Sequence, residues 1–165
     1  MKEKDLKNLP PLSLPIADLK LKRDDEDNLK IYDILRKKFV SLTPEEFVRQ
    51  NFVNWLINQY GYRPEFMANE TEVKLNGTKK RCDTIVFGRE CEPLLIVEYK
   101  APNVEISQET FDQIVRYNMI LKAKYLIVSN GIRHYCCKID YANETYNFIR
   151  LIPSYEEAKG LPGVN

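Results

Sequence analysis

Residues 82–100 read CDTIVFGRECEPLLIVEYK, and this stretch decides the predicted fold. Two apolar runs flank a polar segment with a glycine at 88–93, a pattern typical of two strands joined by a turn. If the turn is centred near residue 91, antiparallel pairing joins positions whose numbers sum to 181 or 182. Asp83 then lies opposite Glu98 or Tyr99. The second strand is apolar enough to be central in a sheet.

The sequence before and after this pair predicts the rest of a core domain. Thr43 suits an N-cap and Pro44 a first helical position, so the apolar spacing predicts a helix over 44–60 that ends at Gly61. The other predicted elements are a strand over 66–75, a hairpin turn at Asn76 and Gly77, a helix over 107–122, a strand over 125–128 and a hairpin of 133–139 with 146–152.

This order of elements predicts an α/β fold. The expected sheet is mixed, with three antiparallel strands, a crossover helix and a parallel strand, flanked by helices and completed by a C-terminal hairpin. We interpret residues 1–30 as an N-terminal arm with a small hairpin, 31–155 as the main domain and 156–165 as a C-terminal tail.

The composition is ordinary for a soluble globular protein, with 44% hydrophobic and 30% charged residues. A net charge of +1 argues against a strongly basic nucleic-acid binder, although Lys80 and Arg81 belong to a local basic group before Asp83. No apolar run is long enough to span a membrane, so a cytoplasmic protein is expected. The four cysteines contain no CxxC pair, and with His134 as the only histidine no zinc cluster is predicted.

Glu98 and Lys100 are the residues for which a chemical role is expected. A two-residue period places both on one side of their strand, at the end of an apolar run, with Asp83 on the neighbouring strand. Two carboxylates can hold Mg²⁺, and an ammonium beside them can orient a water or stabilise a phosphorane. The pattern therefore indicates magnesium-assisted phosphodiester hydrolysis. The alternative is an inter-strand salt bridge on the face of a sheet.

Several segments together resemble the N-terminal nuclease domain of type I restriction enzyme R subunits, in particular short proteins that carry this domain alone. The resemblance covers roughly residues 30–135. It is carried by the segments IYDILRKKFVSLTPEEFVRQNFVNWLINQYGY at 31–62, RCDTIVF at 81–87, LLIVEYKAP at 94–102, QIVRY at 113–117 and IVSNG at 127–131.

The resemblance implies a PD-(D/E)xK, restriction-endonuclease-like fold, DNA as substrate and Mg²⁺ as cofactor, with Mn²⁺ able to substitute. It implies that Asp83 and Glu98 bind the metal and that Lys100 is the catalytic lysine. The family's additional helical acid would be Glu46, with Glu45 as the alternative. The resemblance does not extend to ATP use, because the 165 residues contain no GxxxxGKS/T loop. Other restriction subunits are the partners that it suggests, and a homodimer would suit paired cuts in duplex DNA.

Four further residues have two interpretations each. Glu46 is either a metal ligand or the third residue of a helix cap, and Arg49 either pairs with Glu46 or reaches a phosphate. Gln113 and Tyr117 match a QxxxY motif that supports the site or contacts DNA, or they are surface and core residues. At the level of function, the alternative to a nuclease is a non-catalytic DNA-binding or assembly module of a restriction or defence system.

Overall fold

The computed structural model of the protein describes residues 7–15, 17–75 and 78–160. Side chains are described for these residues apart from 73–75, 78–80, 117 and 120. The hairpin turn predicted at Asn76 and Gly77 lies outside the described residues. Within the described part, no helix combines the length and apolar character needed to cross a bilayer.

The strands of the described chain form two sheets. A three-stranded antiparallel sheet has the order β1-β2-β3, with strands β1 Leu21–Arg23, β2 Leu29–Asp33 and β3 Lys38–Ser41. A six-stranded sheet runs in chain order from β4 to β9, with strands β4 Met67–Leu75, β5 Thr78–Phe87, β6 Pro93–Tyr99, β7 Tyr125–Ser129, β8 His134–Asp140 and β9 Thr145–Ile149. The helices are α1 Pro44–Tyr60, α2 Gln108–Asn118 and α3 Tyr155–Lys159.

The predicted fold class is confirmed. Strands β4, β5 and β6 are antiparallel, α2 crosses over, and β7 pairs parallel to β6. The hairpin of β8 and β9 extends the same sheet antiparallel to β7. A parallel neighbour requires a crossover connection, which explains why a helix lies between β6 and β7.

Both ends of α1 follow the sequence prediction. Thr43 has an extended backbone, and its hydroxyl accepts a hydrogen bond from the Glu46 N–H over 3.0 Å. Gly61 adopts a left-handed φ of 69° and closes the helix. The predicted helix at 107–122 is shorter than expected, because α2 ends at Asn118 and a 3₁₀ turn follows over Met119–Leu121.

The helices cover opposite sides of the six-stranded sheet. Val97 and Tyr99 pack in a cluster with Phe52 and other apolar residues of α1. Ile96 packs in a second cluster with Phe111 and other residues of α2. Since neighbouring residues of β6 belong to different clusters, the strand is buried on both sides, as its apolar run predicted.

A short helix and an extra strand add to the predicted elements. Where a C-terminal tail was expected from residue 156, the structure has α3, which begins with a capping box between Ser154 and Glu157. Tyr155 and Ala158 of this helix are buried in the α1 cluster. The predicted N-terminal hairpin is present as β1 and β2, and β3 joins it as a third strand.

The N-terminal arm lies against the domain near the end of β7. The Ser13 N–H donates to the Gly131 carbonyl over 2.8 Å, and Leu12 packs against the α1 cluster. Gly131 has a φ of 82°, and a Cβ there would lie 2.8 Å from Leu12 Cδ2 and 3.0 Å from Val48 Cγ2. Because Gly131 has no side chain, Leu12 of the arm and Val48 of α1 can both pack against its backbone.

Replacing Gly131 with alanine is expected to lower the free energy of unfolding by about 2 kcal/mol, from backbone strain together with the contact to Leu12. Gly61→Ala is the matched control, because Gly61 also has a positive φ but a Cβ added there would have no atom within 4 Å. Urea denaturation of both variants checks this. If both variants lose the same free energy of unfolding, the contact between position 131 and Leu12 contributes nothing to the loss.

Candidate active site

Three acidic residues, Glu70, Asp83 and Glu98, occupy neighbouring backbone positions on β4, β5 and β6. The last pair of the β5–β6 ladder at this end is Thr84 with Val97, and just beyond it the Tyr99 N–H donates to the Asp83 carboxylate. This register is the first of the two that the sequence predicted. On the other side of β5, the β4 register places Glu70 opposite Asp83. Glu70 has a left-handed φ of 53°, which is uncommon for a residue other than glycine.

Asp83 is bound at both of its carboxylate oxygens. The backbone N–H of Tyr99 donates to Oδ2 over 2.8 Å, and Arg49 Nη2 donates to Oδ1 over 3.1 Å. The first bond ties Asp83 to the end of β6, and the second ties it to α1. The Asp83 side chain is still 26% exposed, so solutes can reach the carboxylate.

Arg49 is the centre of a network of ion pairs. Its guanidinium lies 2.5 Å from Glu46, 2.5 Å from Glu70 and 3.1 Å from Asp83, measured between nitrogen and oxygen. The side chain is only 6% exposed. Burial acts to lower the pKa of Arg49, but the charges of Glu46, Asp83 and Glu70 raise it above its ordinary value. The Glu46–Arg49 pairing expected from their helical spacing is therefore formed, and Arg49 also reaches two strands.

Glu46 receives hydrogen bonds from more than one neighbour. Arg36 Nη2 donates to both carboxylate oxygens over 3.1 Å, and Gln50 Nε2 donates to Oε1 over 2.8 Å. Together with Arg49, these groups occupy the carboxylate, whereas the helix cap uses only the backbone N–H of Glu46. Glu46 is 7% exposed and belongs to the same buried network as Asp83.

A second buried chain of hydrogen bonds supports this network. Asn69 Nδ2 donates to Asp33 over 2.9 Å, Thr84 Oγ1 donates to Asn69 over 2.6 Å, and the Tyr99 hydroxyl donates to Thr84 over 3.1 Å. Burial raises the pKa of Tyr99 above its usual range, so Tyr99 is a neutral donor here. For Asp33, burial acts to raise the pKa, but bonds from the Arg36 backbone, Asn69 and the Arg36 side chain lower it overall.

Glu98 and Lys100 lie at the end of β6. Both are half-buried, and the alternation of the strand places them on the side of Ile96, which α2 covers. The Lys100 N–H donates to the Ser129 carbonyl over 2.9 Å, which fixes the backbone against β7. The strand thus presents a carboxylate and an ammonium together on the α2 side, whereas the Asp83 carboxylate is bonded to Arg49 of α1.

The remaining predicted site residues form no described contact with Asp83, Glu98 or Lys100. Gln113 is exposed on α2, and the side chains of Tyr117 and Lys80 are not among those described. Arg81 is 70% exposed and pairs with Glu70. His134 is a strand residue that packs near Phe52.

The carboxylate oxygens of this site are suitable ligands for a hard cation, but the described side chains do not surround a common point at which an ion could bind. Carboxylate oxygens are the ligands that Mg²⁺ prefers, and Mg²⁺ commonly takes only one or two of them and keeps its waters. Within the described residues, no group of three or more His, Cys, Asp or Glu side chains is placed to hold a metal ion. Instead, the cationic guanidinium of Arg49 lies between three carboxylates. An ion bound here would therefore take only one or two of these carboxylates and keep most of its waters.

Sequence reasoning missed Glu70 and Arg36. Glu70 could have been found, because a two-residue turn at Asn76 and Gly77 pairs positions that sum to 153, and this places Glu70 opposite Asp83. No comparable signal pointed to Arg36, whose bond to Glu46 depends on how the three-stranded sheet packs against α1.

Comparisons with known proteins identify the family. The family model for the type I restriction enzyme R protein N terminus matches residues 44–153, about two-thirds of the chain. A solved fragment assigned to the HsdR subunit of a type I restriction enzyme from Vibrio vulnificus YJ016 has a similar fold, with a TM-score of 0.50 and 21% identity. That match covers 72% of this chain but only 25% of the other. None of the curated proteins compared with the chain matches it. The chain belongs to the type I restriction enzyme R protein N-terminal family.

Proposed function

We propose that this protein hydrolyses DNA phosphodiester bonds with the help of Mg²⁺, using Asp83, Glu98 and Lys100. The observation that supports the proposal is the β5–β6 register: Asp83 and Glu98 are the residues next to its last pair, Thr84 and Val97, and Lys100 is two residues further along the chain. Membership of the restriction-enzyme family supports a nuclease-like role. The chain covers a quarter of the solved relative, so nothing is carried over from the rest of that protein.

Each residue has a distinct task under this proposal. Asp83 and Glu98 provide oxygen ligands for the ion. Glu46 is connected to Asp83 through Arg49, which pairs with both carboxylates. Bound Mg²⁺, or Mn²⁺ in its place, lowers the pKa of a ligated water and neutralises charge on the scissile phosphate. Lys100 orients the attacking water or stabilises negative charge on the phosphoryl oxygens. No step uses ATP.

Other parts of the site would contact DNA. We include Gln113 and Tyr117 of α2, the basic residues Lys80 and Arg81, and Arg49 when its guanidinium is released from Asp83. Other subunits of a restriction system are the expected partners, a homodimer would suit paired cuts in duplex DNA, and the expected compartment is the cytoplasm.

A second candidate function is a non-catalytic DNA-binding or assembly module. The observation in its favour is that Arg49 already balances the charge of Glu46, Glu70 and Asp83 without a metal. A site that is neutralised internally can persist as a structural network after catalysis is lost.

Cleavage of plasmid and linear DNA in Mg²⁺, Mn²⁺ or EDTA separates these candidates. We expect cleavage only with metal, and we expect Lys100→Met to slow it by about 100-fold, because one preorganised charge at the phosphate is lost. Lys138→Met is the matched control, since Lys138 is exposed and pairs with Tyr125 at the other end of β7. DNA binding without cleavage in any metal would favour the module, and cleavage in EDTA would contradict the metal mechanism.

A further inference from the structure

The three-stranded sheet lies before the segment that matches the family, and one of its faces is open to solvent. In β2, Leu29, Ile31 and Asp33 are buried, so the alternate residues Lys30 and Tyr32 point away from the core. We use the name outer face for this side of the sheet, which comprises Lys20, Lys22, Lys30, Tyr32 and Phe39.

Two aromatic rings lie next to each other on the outer face. Tyr32 pairs with Phe39 across the β2–β3 ladder, and their ring centroids are 5.2 Å apart at an interplanar angle of 64°. Phe39 is 36% exposed, which is high for a large apolar side chain. Exposed rings of this kind form a surface on which an unpaired base can stack.

Lysine ammonium groups lie over these rings. Lys20 Nζ is 5.8 Å from the Tyr32 ring centroid, and Lys22 Nζ is 4.4 Å from the Phe39 centroid. A cation–π contact at an exposed site is weak, so these ammonium groups can turn to a phosphate at little cost. Basic groups placed beside stacking rings are the arrangement by which proteins bind single-stranded nucleic acid.

The positive charge of this region is available for binding. Among the described residues, none of the four lysines Lys20, Lys22, Lys37 and Lys38 forms an ion pair, whereas Lys30 lies 3.2 Å from Asp24 in the acidic turn. Lys37 and Lys38 are exposed at the turn between β2 and β3. In a chain with a net charge of only +1, such a local set of unpaired cations is suited to bind phosphates.

The same turn connects the outer face to the candidate active site. Arg36, the residue before Lys37, lies 2.5 Å from Asp33 and 3.1 Å from Glu46. Glu46 shares Arg49 with Asp83. The turn at the end of the outer face is therefore linked through Arg36 and Glu46 to the network that contains Asp83.

We propose that the outer face binds a single-stranded segment of DNA, with phosphates at Lys20, Lys22 and the turn residue Lys37 and a base stacked on Tyr32 and Phe39. The choice of DNA over RNA rests on the proposed function, whereas the binding surface itself rests on the rings and lysines. The surface holds one strand of a substrate that is hydrolysed at the site containing Asp83.

Fluorescence anisotropy with a labelled single-stranded oligonucleotide in EDTA tests this without cleavage. The double variant Lys20→Gln/Lys22→Gln is expected to bind about tenfold more weakly, with the salt dependence of the logarithm of the binding constant reduced by about 1.4, since two phosphate contacts are lost. The matched control is Lys124→Gln/Lys138→Gln, which removes two exposed lysines near the start of β7 and is expected to bind as the wild type does. Phe39→Leu should weaken single-strand binding by at least about fivefold and leave duplex binding unchanged.

Wild-type affinity in the Lys20/Lys22 variant, or an equal loss in the control, would overturn the proposal. An equal loss of duplex and single-strand binding in Phe39→Leu would also overturn it, because stacking requires an unpaired base. The proposed function is tested separately, by cleavage in Mg²⁺ with Asp83→Asn. If that variant cleaves normally, the nuclease assignment fails while the binding comparison in EDTA still decides the role of the outer face.

Discussion

Replacing Asp83 with asparagine is expected to lower the rate of magnesium-dependent DNA cleavage by about a thousandfold, which corresponds to about 4 kcal/mol of transition-state stabilisation. Asparagine has the same shape, and its amide oxygen can still accept the Tyr99 N–H bond that now goes to Oδ2. The substitution therefore removes the charged ligand and leaves the end of β6 in place. Initial rates of plasmid nicking at saturating Mg²⁺ measure the effect.

Glu65→Gln is a suitable control for this variant. Glu65 is exposed and forms a salt bridge with Arg63 at 2.7 Å, so the same change of charge is made on the surface. The control is expected to cleave at the wild-type rate. An Asp83→Asn protein that is folded and retains more than about a tenth of wild-type activity would contradict a metal-binding role for Asp83.

Replacing Arg49 with methionine is expected to lower the free energy of unfolding by about 3–5 kcal/mol. Methionine keeps the apolar stem but leaves Glu46, Glu70 and Asp83 without the cation that they share. Like charges that are largely shielded from water then repel one another. Chemical denaturation monitored by the fluorescence of Trp55 measures the loss.

The same variant should respond more strongly to Mg²⁺ than the wild type does. A divalent ion can occupy the carboxylates that the guanidinium has left, and binding to the folded state raises stability. Arg36→Met is the matched control, since Arg36 contacts Asp33 and Glu46 but, among the described contacts, bonds to neither Glu70 nor Asp83. We expect Arg36→Met to be destabilised without any gain in its response to Mg²⁺. An Arg49→Met protein that is as stable as the wild type and is not stabilised by Mg²⁺ would contradict this expectation. That result would show that the network neither supports the fold nor competes with a metal.

Local and periodic signals made much of the fold predictable. The Thr43 cap and Gly61 stop bounded α1 correctly, because both depend on backbone geometry within one helical turn. The β5–β6 register followed from two apolar runs and a short turn, and these alone placed Asp83 opposite Glu98 or its neighbour Tyr99. These features were predictable because each is formed by residues that are close together in the sequence.

The ion-pair network could not be predicted in the same way. Arg49 has a long side chain with several acidic residues in reach, and its bonds to Glu70 and Asp83 span 21 and 34 positions along the chain. Which acids it contacts depends on the packing of α1 against the sheet. Glu70 also adopts a left-handed backbone, which no residue-level pattern indicated.

Isothermal titration of Mg²⁺ into the wild-type protein and the Asp83→Asn variant tests the central claim most directly. If the strand carboxylates share one hydrated cation, the wild type should show saturable binding and the variant should bind at least about tenfold more weakly. Identical titrations for the two proteins, or no heat of binding in either, would contradict a metal site at Asp83.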